Sequence, residues 1–164
     1  SYSHNAQVEI SYPVLKHLEI RAALRYNDVQ QSLRNGELEQ KPLVSNYKGL
    51  VTLAFASNMK RWQADATAQF IGKSRLPDRS LFPVPYQLEE YSPEHFILHL
   101  QLARNFKRWT IYAGAENVTN FKQHHPIISA DKPYSPYFDS SVIWGPVMGR
   151  KIYAGVKIKI NKKD

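Results

Sequence analysis

The chain has 164 residues, 43% hydrophobic and 22% charged, a balance that excludes wholesale disorder and allows one domain with a core of its own. No run of about 18 or more apolar residues occurs, which excludes a membrane-spanning helix but not a membrane barrel, whose alternating strands score as polar. Cysteine is absent, which removes disulfides and thiolate metal sites, and the net charge of +8 is spread along strands and loops with no recognition-helix pattern, so nucleic acid is not an expected partner.

SYSHNAQVEI carries no secretory signal and enters a strand almost at once, which reads as a piece cut from a longer precursor. In that first strand Ala6, Val8, Ile10 and Tyr12 alternate with Gln7, Glu9 and Ser11. Next, Leu18, Ile20, Ala22, Leu24 and Tyr26 oppose Glu19, Arg21, Ala23, Arg25 and Asn27. A weaker third pattern sets Gly49, Val51, Leu53 and Phe55 against Lys48, Leu50, Thr52 and Ala54. The fourth places Trp62, Ala64, Ala66, Ala68 and Phe70 against Gln63, Asp65, Thr67 and Gln69. The fifth is Phe96, Leu98, Leu100 and Leu102 against Ile97, His99 and Gln101, and the sixth is Trp109, Ile111, Ala113 and Ala115 against Thr110, Tyr112, Gly114 and Glu116. The last is GRKIYAGVKIKI, where Ile152, Ala154, Val156, Ile158 and Ile160 oppose Lys151, Tyr153, Gly155, Lys157 and Lys159. No amphipathic helix competes with these patterns, so the fold class is all-β, with about seven antiparallel amphipathic strands.

The connections alternate as well. Those at 13–17, 57–61 and 105–108 are short, whereas those at 29–46, 72–94 and 119–149 are long. Long unstructured loops count against a compact soluble fold, and short turns at one end with long loops at the other are the layout of an outer-membrane barrel. With the C-terminus on the periplasmic side, every short turn falls in the periplasm and every long loop outside. Trp62 and Trp109 open strands just after short turns, and Phe106 lies within one, which fits an aromatic girdle at the headgroup level. Tyr26, Tyr47 and Phe70 lie at the opposite strand ends. The apolar face is therefore expected to meet outer-membrane lipid. Because bacterial single-chain barrels use even strand numbers, seven strands would be part of a larger barrel.

YAGAENVTNF (112–121) resembles a strand-end signature near the C-terminus of TonB-dependent outer-membrane receptors, and WGPVMGRKIYAGVKIKI (144–160) resembles their closing segment. RYNDVQQSL, KPLVSNYKGLVTLAF and RWQADATAQFIGKSRLP are similar to the hairpins that precede it. The resemblance implies that residues 1–164 are one C-terminal β-barrel segment of a receptor in the outer membrane of a Gram-negative bacterium. It implies a barrel of about 22 strands filled by an N-terminal plug, with that plug and the remaining strands as partners. It further implies capture of a scarce nutrient (an iron–siderophore, haem, cobalamin or a glycan) and import driven by the TonB complex through the absent N-terminal part. Gly155, Ile158 and Ile160 match the glycine and hydrophobic positions of the family's terminal assembly signal, although this chain has isoleucine where the family has a final aromatic and continues into NKKD.

The polar face would line the lumen and meet the plug through Glu19, Arg21, Arg25, Asp65, Gln69, Gln101, Tyr112 and Glu116, where paired charges make charge-assisted hydrogen bonds. Ligand contacts are expected from the long loops. In FKQHHPIISADKPYSPYFDSS the candidates are His124, His125, Tyr134, Tyr137 and Phe138, the rings offering stacking surfaces, with a self-packed loop stiffened by prolines as the alternative. LFPVPYQ (81–87) reads as a rigid extended stretch. Adjacent histidines point to opposite sides and no carboxylate or cysteine stands at ligand spacing, so neither a metal nor another cofactor is expected. No phosphate loop, HExxH or GxSxG motif is present, and Glu89 and Glu90 are neighbours in a loop, so no enzyme is expected. The alternative to a receptor segment is a soluble all-β ligand-binding or interaction module with its apolar face inside.

Overall fold

The computed structural model describes residues 1–33 and 36–160; the NKKD tail lies outside the described residues. Among the described residues eight strands form: β1 (Tyr2–Leu15), β2 (Leu18–Ser32), β3 (Leu38–Gln40), β4 (Tyr47–Ala56), β5 (Trp62–Ile71), β6 (His95–Asn105), β7 (Trp109–Glu116) and β8 (Lys151–Ile158). Seven of them pair antiparallel in the order β1-β2-β4-β5-β6-β7-β8, and the short β3 pairs with the far end of β2. The sheet is open, with β1 and β8 as its two edges.

Register turns the sequence alternation into two continuous faces. One row reads Tyr12, Ile20, Leu53, Ala66, Leu100, Ala115, Ile152 across all seven strands. The neighbouring row, one residue along each strand and on the opposite face, reads Pro13, Glu19, Ala54, Asp65, Gln101, Gly114, Tyr153. A slip of one residue in any pair would exchange the two sets, so seven matching patterns fix the register together.

The apolar face is not covered. Val8 and Ile10 are each 63% exposed and Ile152 is 80% exposed. The buried hydrophobic residues lie elsewhere: Ile97 and Ala103 alternate with the apolar set on β6, while Leu76, Ile128 and Val142 belong to the long loops. A soluble sandwich would bury the large apolar face first, because that is where most of the transferable area is. The opposite face is hollow, with Gln7, Arg25, Lys48 and Gln69 from four strands around a depression of about 270 Å³.

The sequence reading differs from the structure at four places, one of them the last strand, which ends at Ile158 and leaves Lys159 and Ile160 outside it. β1 continues through Pro13 to Leu15, with a register slip between those two residues, so the first turn is only Lys16 and His17. An edge strand has one unpaired side, which is where a proline is tolerated in a ladder. The stretch read as one long loop from Val29 holds the end of β2 and all of β3, joined as Gln30↔Gln40 and Ser32↔Leu38. Finally, Val84–Tyr86 within LFPVPYQ forms a 3-10 turn, closed by Tyr86 N–H donating to Pro83 O at 2.8 Å, instead of extended chain.

Candidate ligand site in the long-loop cap

The three long loops are packed on one another at one end of the sheet. The first is tied to the second by the Ser45↔Ser74 bridge, by Leu43 N–H donating to Arg75 O at 2.8 Å, and by the Arg75–Glu39 ion pair at 2.5 Å. The second is tied to the third by the Arg79–Asp139 ion pair, by Tyr86 stacked on Tyr137 at 4.8 Å, and by Phe82 edge-on to Tyr137 at 5.8 Å. Leu76, Ile128 and Val142 form the small core beneath, with Tyr86, Leu88 and Trp144 against it. Asp78 accepts the backbone N–H of Ser80 at 2.9 Å, and that bond holds its carboxyl below the usual carboxylate range.

The base of the third loop is held by the two segments that resemble the receptor family. Asn117, 5% exposed and at φ 50°, donates to Phe121 O at 2.7 Å and accepts the Phe121 N–H at 3.1 Å. Its amide also reaches Met148 O at 3.3 Å, across the whole loop. Asn120 accepts the Arg150 backbone N–H at 3.0 Å, while the Arg150 guanidinium donates to Val118 O at 2.6 and 3.1 Å. Asparagine tolerates the left-handed backbone and completes turn bonds with its side chain, which is why it recurs here. In this chain ENVTN and GR are thus two halves of one clamp.

Gln123 holds the next layer. It is 6% exposed, donates to Val142 O at 2.7 Å, and accepts the backbone N–H groups of Trp144 at 2.9 Å and Gly145 at 3.2 Å. This presents the Trp144 ring beside Phe121 and His95, whose own rings stack at 4.5 Å and 3°.

Between the second and third loops lies a cavity of about 810 Å³. Tyr86, Tyr91, Phe121 and Trp144 supply aromatic wall, and Lys122, Gln123, His124, His125, Glu89 and Asp131 supply polar groups. Concave sites of this size that combine aromatic wall with convergent polar groups are the usual form of a small-molecule site. Of the five loop candidates read from the sequence, His124 and His125 line it. Tyr134 is fully exposed, Phe138 is 40% exposed, and Tyr137 is engaged by Tyr86 and Phe82; none of the three lines the cavity. Among the described residues no three of His, Asp and Glu converge as metal ligands would.

The eight polar-face candidates share one side of the sheet by register. Glu19 accepts the Ser11 hydroxyl at 2.6 Å, and Arg21 approaches Glu19 at 3.5 Å and Glu9 at 3.8 Å. Arg25 donates to Asn27 Oδ1 at 2.9 Å, and Gln101 accepts the Tyr153 phenol at 2.8 Å. Asp65 and Gln69 stand on β5, and Tyr112 and Glu116 on β7. Of the residues proposed for assembly, Gly155 lies under the Tyr112 ring, Ile158 pairs with Trp109, and Ile160 is 91% exposed just past β8.

Gln123, Tyr86 and Tyr91 escape a sequence reading because nothing periodic marks a loop side chain, and His95 escapes it because it opens β6 one residue before the alternating run begins at Phe96. Trp144 and Phe121 do carry a signal, since they begin and end the two family-like segments.

No family model matches this sequence. No curated protein matches it either. Solved structures of the ferric enterobactin receptor from Pseudomonas aeruginosa do resemble the fold. Two of its mutants, each in complex with enterobactin, superpose with TM-scores of 0.63 and identities of 14% and 16%, covering 90% of this chain and 21% of the receptor chain. Another mutant gives a TM-score of 0.63 at 14% identity over 92% of this chain. The chain thus spans about a fifth of the length of those receptors, and at this identity the likeness is one of fold: an antiparallel sheet of the kind that makes up part of a β-barrel.

Proposed function

We propose that residues 1–164 are the closing strands of a TonB-dependent outer-membrane receptor, with the apolar face against lipid, the polar face against lumen and plug, and the long-loop cap on the outside. The observation that carries this is the seven-strand apolar face left uncovered while the molecule's small core forms in the loops. Lipid is the one solvent in which that face is at rest, and the two unpaired edges call for further strands of the parent barrel.

The cap cavity is proposed as part of the nutrient site. Its rings suit a planar ligand, and Lys122 with the two histidines offers donors to ligand oxygens, while Glu89 and Asp131 on the same wall offer acceptors. The likeness to ferric enterobactin receptors puts ferric siderophores first among the candidate cargoes.

The test is the intact mass of the native polypeptide carrying this segment, recovered from washed outer membranes. A mass several times 19.0 kDa supports the receptor. A native product of 19.0 kDa, or its absence from membranes, rejects it in favour of a soluble β module.

A further inference from the structure

The short turns differ in charge from the long loops. They contain Lys16-His17, Lys60-Arg61 and Lys107-Arg108, with no carboxylate among them, whereas Asp78, Glu89, Glu90 and Asp139 all stand in the long-loop cap. The turns are also stitched side by side. Ala56 N–H donates to His17 O at 2.9 Å, Asn105 N–H to Arg61 O at 2.8 Å, and Lys159 N–H to Arg108 O at 2.8 Å. The Asn105 amide adds a bond to Lys60 O at 2.6 Å. A continuous basic rim results.

Arg104 stands where this rim meets the apolar face. It continues the row Leu98, Leu100, Leu102 and is in register with Trp62 on one side and Ile111 on the other. Its guanidinium lies 4.8 Å from the Trp62 ring centre and 5.0 Å from that of Phe106, which in turn stacks on Trp109 at 3.9 Å. Among the described residues, Lys60, Arg61, Arg104, Lys107 and Arg108 form no ion pair. Cation–π contact with two rings engages the guanidinium without consuming its N–H donors, and that planar fork fits two oxygens of one phosphate.

We propose that this rim binds the phosphodiester headgroup of an anionic phospholipid, with Arg104 forked onto the phosphate, Lys60, Arg61, Lys107 and Arg108 around it, and Trp62 and Trp109 against the ester region. The inference rests on the membrane placement proposed above and adds a lipid chemistry that the nutrient site does not need. The cation that ends an apolar row marks where hydrocarbon gives way to headgroup, and the neighbouring aromatics prefer the same depth.

The native polypeptide carrying residues 1–164, held in a neutral detergent, is offered equal phosphatidylglycerol and phosphatidylcholine, and the retained lipids are counted by native mass spectrometry. Phosphatidylglycerol is expected to be retained preferentially, with about a fivefold loss for each cation removed. Arg104→Gln combined with Lys60→Gln and Arg61→Gln should abolish the preference, whereas Lys73→Gln with Lys132→Gln in the long loops should leave it intact. Equal retention of the two lipids, or a preference untouched by the triple substitution, overturns the proposal and leaves the receptor reading standing. Retention of neither lipid by a polypeptide that is monodisperse without detergent overturns both. Should the triple variant not fold, the wild type decides: its preference must collapse between low salt and about 0.5 M salt, and millimolar inorganic phosphate must not displace the lipid. A salt-insensitive preference overturns the proposal.

Discussion

The phenol of Tyr153 lies across Gly114 and donates to Gln101 at 2.8 Å, joining β8 to β6 over the strand between them. A Cβ on Gly114 would run into the Tyr153 ring and against Leu100 O, so glycine is required by close approach. The same device recurs one hairpin position away, where the Tyr112 ring fills the space above Gly155. Gly114→Ala is therefore expected to destabilise the sheet by about 1–3 kcal/mol through overpacking. Tyr153→Phe, which loses one hydrogen bond and keeps the ring, should cost about 0.5–1.5 kcal/mol. Urea unfolding of the native polypeptide carrying this segment gives both values, and a Tyr153→Phe loss larger than that of Gly114→Ala would contradict this packing.

The two faces should respond oppositely to charge. If the apolar row meets lipid as proposed, Leu100→Arg, mid-strand in that row, places a cation in hydrocarbon at a cost of about 2–4 kcal/mol. Gln101→Arg, one residue on, faces the polar side and should be accepted at a small fraction of that cost. The yield of folded native polypeptide in bilayers measures the difference. Equal tolerance of the two substitutions would mean that the apolar face does not meet lipid.

Asn117 should act as the hinge pin of the third long loop. Asn117→Ala removes its bonds to Phe121 and Met148 and places alanine at φ 50°, which itself costs about 1–2 kcal/mol. With buried backbone groups left unpaired, a further 1–3 kcal/mol, roughly, is expected. Hydrogen exchange should speed up within 118–149 and remain unchanged in β4 and β5. Uniform acceleration across the sheet would show instead that the clamp stabilises the whole fold.

The strands were legible because burial and alternation are properties of single residues read two apart. Leu98, Leu100 and Leu102 announce a face without reference to any partner, and seven such runs leave one antiparallel register. The cap was not legible. Arg79 and Asp139 are sixty positions apart, and no local pattern links them or brings Tyr86 to Tyr137. Pro13 misled for a different reason: proline ends central strands, and the sequence does not say that β1 is an edge. His124 and His125 stand out in the sequence by their chemistry and line the cavity, yet Gln123 beside them organises its wall with three hydrogen bonds.

Gln123 accordingly offers a test of the cavity. Gln123→Leu keeps the bulk and removes the bonds to Val142, Trp144 and Gly145, freeing the Trp144 ring from its place beside Phe121. If the cavity takes a small ligand, the affinity of the native polypeptide for it should fall by about tenfold or more, equivalent to about 1.4 kcal/mol, with the stability of the sheet little changed. Tyr134→Ala, at a fully exposed ring outside the cavity, should leave affinity unchanged. Calorimetric titration with the cargo distinguishes the two, and a larger effect at Tyr134 would move the site to the loop surface.

The Arg79–Asp139 pair should behave as a latch between the second and third loops. Their side chains are only 10% and 23% exposed, so the pair is largely shielded from salt, and removing one partner strands the other charge in a place with little water. Arg79→Met is expected to open the cap locally at a cost of about 3–5 kcal/mol, less whatever water enters to solvate Asp139. It also removes the guanidinium from the Phe82 ring, 5.1 Å away. The double substitution Arg79→Met with Asp139→Asn should recover most of the loss, since a neutral side chain no longer needs the guanidinium and its amide oxygen still accepts the Ser141 N–H and hydroxyl. Limited proteolysis in 127–140 reads the opening, with fast cleavage for the single variant and slow cleavage for the double. If both variants are cleaved equally fast, the contact holds the loops by shape, and Tyr137 wedged against Tyr86 and Phe82 becomes the element to substitute next.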